Sequence, residues 1–205
     1  HRQTDRTTHR QTDRTTHRGK RWGAPHRVKG RLRWSMQRRT AEQGIDMPKL
    51  LVIEDGREYL DFALALLQPD FEIMHAQSGP AAREVLATQT VDALLFDLRF
   101  DRSPADALLG DVEGTAQALF AGDVPRAVRY LQDLQGVLIL ADLRSLGHQQ
   151  PAVFVHDFTA RRLRNLRSLY GVVHAVPRFD ADAIRRCLSQ NMVLALGGGW
   201  RRRVP

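Results

Sequence analysis

Cysteine is nearly absent from this chain. Cys187 is the single one, so no internal disulfide can form, and the chain reads as a protein of a reducing compartment. Cys187 falls in an amphipathic helical stretch and reads as core rather than as a nucleophile. No apolar run approaches the ~18–20 residues that a helical membrane span needs. No stretch has the charged, apolar and small-residue order of a signal peptide. Both absences predict a cytoplasmic protein that does not enter a membrane. The glycines at 197–199 lack the Lys-Ser/Thr of a phosphate loop and lack a strand before them, so they read as linker.

Acids are scarce at one end only. Residues 1–46 carry 13 Lys and Arg against 4 Asp and Glu, whereas residues 47–205 carry 18 against 19. The net charge of +8 therefore belongs to the first segment, with a small cluster at Arg201, Arg202 and Arg203. That segment opens on an eight-residue repeat, His1 to Thr8 recurring as His9 to Thr16, and has no apolar residue before Trp22. It cannot bury enough surface to offset the entropy of ordering and reads as a disordered basic arm. The repeat, followed by Met47-Pro48-Lys49, favours sequence upstream of a native start. The other reading is an arm that binds nucleic acid through phosphate contacts.

From Met47 the texture is that of a folded domain, predicted over 47–190, with a flexible basic tail over 191–205. Lys49 to Ile53 is an apolar run that ends in Glu54-Asp55-Gly56. Glu58 to Leu67 has a broad helical stripe. Phe71 to Ala76 alternates as a strand nearer an edge. Ser78-Gly79-Pro80 caps a helix that continues over 81–88. Val91 to Phe96 is a further apolar run and ends in Asp97. Continuous apolar runs of this kind mark strands buried on both faces, as in parallel sheets. Residues 99–135 are irregular, with helical pieces at 115–120 and 125–134. A separate helix is expected over 136–146. Pro151 to Val155 is a clean strand, followed by His156-Asp157-Phe158-Thr159. A helix over 160–169 carries Arg161, Arg162, Arg164 and Arg167, and Gly171 closes it. A fifth strand over 172–176 and a last helix over 181–188 complete an α/β doubly wound parallel sheet with right-handed crossovers.

In such a sheet of order 2-1-3-4-5, ligands bind at the carboxyl edge, where strands one and three meet. That edge gathers Glu54, Asp55 and Asp97. Three carboxylates in one cleft repel unless a divalent cation joins them, and hard oxygen ligands suit Mg²⁺. A metal-held carboxylate can attack phosphorus to form an aspartyl phosphate. A phosphatase-type α/β hydrolase would carry a second Asp two residues on. Arg99 stands there instead.

The acidic pair in Leu51-Val52-Ile53-Glu54-Asp55-Gly56, Asp97 in Asp92 to Leu98, the strand Pro151 to Val155 and the segment Val176 to Asp180 resemble the receiver domain of two-component response regulators. The resemblance covers residues 49–188. It implies the flavodoxin-like fold, with 99–135 as a helical insertion after the third strand. It implies Asp97 as phosphoacceptor in a bacterial phosphorelay, and Mg²⁺ held by Glu54, Asp55, Asp97 and the backbone carbonyl of Arg99. The implied partners are a histidine kinase or phosphotransfer protein, an output protein, and a second copy in a homodimer. Enzymatic activity would be limited to phosphoryl acceptance and autodephosphorylation. The member is atypical. His156 stands where the family has Ser or Thr, with Thr159 three positions on. Val176 stands where the family has Lys, and Arg178 follows the proline. Asp97 and His156 are 59 positions apart, about twice the usual spacing. Hence His156, Thr159 and Arg178 are the candidate phosphoryl contacts. A pseudo-receiver that signals by contact alone is the alternative, and a nucleic-acid-associated regulator using the basic arm is the second.

Overall fold

The computed structural model describes residues 47–197. The predicted arm over 1–46 and the Arg201–Arg203 cluster lie outside the described residues. Five strands form one parallel sheet in the order β2-β1-β3-β4-β5. They are β1 (Lys49–Ile53), β2 (Glu72–Ala76), β3 (Ala93–Phe96), β4 (Ala152–Phe154) and β5 (Val173–Ala175). The helices are α1 (Glu58–Leu66), α2 (Gly79–Thr88), α3 (Val112–Phe120), α4 (Val124–Ser145), α5 (Ala160–Tyr170) and α6 (Ala181–Gly197). No helix among the described residues is long and apolar enough to cross a membrane.

Alternation along each strand sorts the core into two layers. Leu51, Ile53, Leu94, Phe96 and Phe154 face α2, α4 and α5, where Leu86, Ile139, Leu140, Leu143 and Leu166 meet them. Leu50, Val52, Ala93, Leu95 and Val153 face α1 and α6, against Phe62, Ala63, Ile184 and Leu188. All four residues of β3 are buried, as the apolar run predicts for the central strand of a sheet covered on both faces. Cys187 is half-buried against the second layer, in keeping with a packing role.

Side chains set most helix starts. Ser78, Asp111, Asp123 and Thr159 each accept a backbone N–H from the first turn of the helix that follows. Helix α1 differs. Its N-cap, Arg57, gives no side-chain cap. Two carboxylate oxygens reach in from the end of β1 instead: Glu54 Oε2 accepts from Tyr59 N at 3.1 Å and Oε1 from Leu60 N at 2.6 Å.

Three expectations are corrected. The stretches predicted as helices over 125–134 and 136–146 form the single 22-residue helix α4. Gly136, the expected start of the second stretch, is buried in the middle of the helix. The last helix does not end near Leu188 but runs on to Gly197, which is therefore helical rather than linker. The segment 99–135 is also less irregular than expected: a short 3-10 turn at Ala105–Ala107 precedes α3, which packs along the first turns of α4.

Gly136 packs against the end of β3, and the twelve residues of α4 before it extend past that point as roughly 18 Å of helix. Buried Gln135 fastens the loop beneath this overhang. Its Oε1 accepts from Leu109 N at 2.7 Å and its Nε2 donates to Leu109 O at 3.1 Å. Replacing it by Ala strands both backbone groups of Leu109. Gln135→Ala is expected to cost about 2 kcal/mol in urea denaturation; a loss below about 0.5 kcal/mol would show that water replaces the amide at no cost.

Candidate functional site

The sheet register places the site. Ile53, Ala76, Phe96, Phe154 and Ala175 lie in one row across the strands. The ladder continues one residue further, with Asp97 N donating to Ile53 O at 3.0 Å and Val155 N to Phe96 O at 3.0 Å. Glu54, Asp97, Val155 and Val176 therefore follow that row along the carboxyl edge.

Asp97 stands at the middle of this edge. Its Oδ1 accepts from Arg99 N at 3.3 Å. Burial pushes its pKa up to about 6, and the charge of Asp55 adds to the rise, while backbone N–H groups and the nearby Arg178 guanidinium oppose it. Arg178 thus sits where a cation can meet Asp97, although it follows rather than precedes the proline. Val176, which precedes Pro177 just beyond β5, is buried in the core.

Asp55 is engaged by the loop that follows β3. Its Oδ2 accepts from Arg102 N at 2.7 Å, Ser103 N at 2.8 Å and Ser103 Oγ at 3.2 Å. Glu54 does not join Asp55 and Asp97. It is 1% exposed, and both its oxygens serve the start of α1. Burial raises its pKa against the lowering by those two N–H groups. Among the described residues no group of three or more His, Cys, Asp or Glu side chains is placed to hold a metal ion. As a donor set, Asp55 and Asp97 fit Mg²⁺: they are two hard carboxylates whose mutual repulsion a divalent ion would relieve. Glu54, as placed, does not fit as a direct ligand.

The remaining predicted residues are spread along the edge. His156 lies beyond β4 against the ring of Phe158, at 5.0 Å between centroids. Burial lowers its pKa, and the charges of Arg162, Arg178 and Arg99 lower it further, so it is a neutral imidazole near neutral pH. Thr159 is the N-cap of α5, its Oγ1 accepting from Arg162 N at 3.3 Å. The Arg99 side chain turns away to Asp133 on α4, at 3.1 Å.

Four residues at the site escaped the sequence reading. Tyr59 donates to Val155 O at 3.5 Å, and burial together with the charge of Asp97 raises its pKa. Its ring stacks on Phe179 at 5.3 Å. Arg102 forms a two-pronged pair with Glu58, and Ser103 holds Asp55. Glu58 opens α1 only three residues after Asp55, and that closeness along the chain marks it as a neighbour of the acidic pair. Nothing in the long loop singles out Arg102 and Ser103 before the fold brings them back over β1.

No family model matches the chain, and no curated protein matches it by sequence. Solved structures do match. A signal receiver domain of an HD domain-containing protein from Pseudomonas fluorescens superposes with a TM-score of 0.51 at 12% identity, covering 74% of this chain and 99% of that one. The N-terminal domain of an uncharacterized protein from Wolinella succinogenes gives a TM-score of 0.50 at 14% identity, with the same coverage of both chains. At such identities the likeness is one of fold, and it agrees with the strand order: the chain has the fold of the response regulator receiver domain, a five-stranded parallel sheet of order 2-1-3-4-5 between helices.

Proposed function

We propose that this chain is a receiver module of two-component signalling in which Asp97 accepts a phosphoryl group from a partner histidine kinase or phosphotransfer protein. The observation that carries the reading is the setting of Asp97, at the end of the central strand and within electrostatic reach of the Asp55 carboxylate and the Arg178 guanidinium. A carboxylate oxygen of Asp97 attacks phosphorus, the donor's bond to phosphorus breaks, and an acyl phosphate remains. Asp55, Asp97 and the carbonyl of Arg99 would hold Mg²⁺, which would supply charge neutralisation for the transferring group. Arg178 lies near enough to add a second positive charge, as a fork rather than as a lysine point charge. The consequence would be read by a protein partner.

Acetyl phosphate with Mg²⁺ should add one phosphoryl group by intact mass, and Asp97→Asn should abolish the addition. An unmodified, folded wild-type protein would discard phosphoacceptance. It would leave the second reading, a receiver fold that signals by contact alone. The burial of Val176 in place of a lysine, and the engagement of Glu54 by α1, favour that second reading.

A further inference from the structure

The acid cleft already contains a cation of its own. The Arg102 guanidinium donates from Nη1 to Glu58 Oε2 at 2.9 Å and from Nη2 to Glu58 Oε1. The backbone N–H of the same residue donates to Asp55 Oδ2. Gly56, between Glu54-Asp55 and Glu58, makes the room: a Cβ on it would lie 2.1 Å from Arg102 Nη1. Glu58, Asp55 and Glu54 each raise the pKa of Arg102, so the guanidinium sits within electrostatic reach of all three acids. Arg102 also lines the cleft together with Asp55, Gly56 and Glu58.

We propose that Arg102 is an internal counter-ion of the acid cleft that competes with a divalent cation for Asp55, so that metal binding requires Arg102 and the loop it heads to leave. The inference rests on the Mg²⁺ site assigned under the proposed function and adds how that site is regulated. A guanidinium paired with Glu58 and within electrostatic reach of Asp55 repels an incoming dication. The loop makes the competition consequential. Asp55 Oδ2 holds Arg102 and Ser103, and Ser103 O accepts from Gln132 Nε2 of α4 at 2.9 Å. A cation that takes Asp55 therefore loosens the link between the cleft and the overhanging helices. The Arg102–Glu58 pair is exposed, so its hold is weak.

The test is Mg²⁺ titration of the full chain by calorimetry and by amide shifts, with Arg102→Gln and Arg102→Ala beside the wild type and far-UV circular dichroism to confirm folding. Arg102→Gln keeps the aliphatic stem and one donor group, which guards against simple collapse of the loop. Expected is an apparent affinity about tenfold tighter in both variants, lost again when Asp55→Asn is added. Equal affinity in wild type and variants overturns the counter-ion and leaves the Mg²⁺ site standing. No Mg²⁺ binding in any of the three folded proteins overturns both.

Discussion

Gly136→Ala should destabilise the domain by about 3 kcal/mol in urea denaturation, although alanine is the better helix former by about 1 kcal/mol. The position is a contact between two backbones. A Cβ on Gly136 would stand 2.1 Å from the carbonyl oxygen of Asp97 and 3.0 Å from Leu98 Cα. Neither atom belongs to a side chain that can rotate away. The surroundings are also pinned by hydrogen bonds: Gly136 N donates to Leu98 O at 2.9 Å, and Phe100 N donates to Gln132 O at 3.0 Å. Helix and loop are thus stitched together on both sides of the missing side chain. Gly114 provides the contrast. It too lies in a helix, but the atom its Cβ would meet, at 2.2 Å, is the side-chain Oδ2 of its N-cap Asp111. Gly114→Ala should cost no more than a lost cap, about 1 kcal/mol. A neutral or stabilising Gly136→Ala would mean that α4 stands off from the end of β3. Because the clash is with the peptide that carries Asp97, the substitution should also displace that carboxylate. Amide shifts of residues 97–100 in whatever fraction stays folded will show it.

The two kinds of information in the sequence explain what was legible in it. Apolar runs bounded by caps and glycines are local, and they located all five strands and the acids at their ends. Ile53 and Phe96 pair in register, so the placement of Glu54 and Asp97 on one edge followed from the runs alone. The exception is the direction in which an edge side chain turns. Glu54 was expected in the acid cleft, but α1 begins at Glu58 without a side-chain cap from Arg57. The nearest acceptor for its first N–H groups is Glu54. That choice depends on the distance between the strand end and the helix, which no residue pattern encodes. The helix start expected at Gly136 was misplaced for a related reason. A glycine in a helical pattern reads as a break, and here it is instead what lets a helix pass close against a strand end. Arg102 and Ser103 were hidden by separation along the chain, since each meets residues 44–48 positions away.

Asp97→Asn is expected to stabilise the metal-free domain at pH 7 by about 2 kcal/mol, measured in EDTA by denaturant titration. Folding raises the Asp97 pKa from 3.8 to about 6, with burial as the main cause. Between those two pH values the folded state binds more protons than the unfolded state. Stability contributed by protonated Asp97 is therefore complete below about pH 4 and is lost as pH rises through 6. At pH 7 the domain carries a half-buried carboxylate that its surroundings disfavour. Asparagine keeps an oxygen for the Arg99 N–H and has no charge to desolvate. It gives up the attraction to Arg178, but that attraction is smaller than the burial effect, which is why the net shift of Asp97 is upward. The advantage of the substitution should therefore shrink to nothing as pH falls from 7 to 4. Mg²⁺ should reverse the order at pH 7, because it stabilises the ionised wild-type site and finds one carboxylate fewer in the variant. An Asp97→Asn protein less stable than wild type in EDTA, with a difference flat in pH, would show that the ionised carboxylate is at ease where it stands. The strand end would then hold a structural acid rather than one kept under electrostatic tension for a reaction.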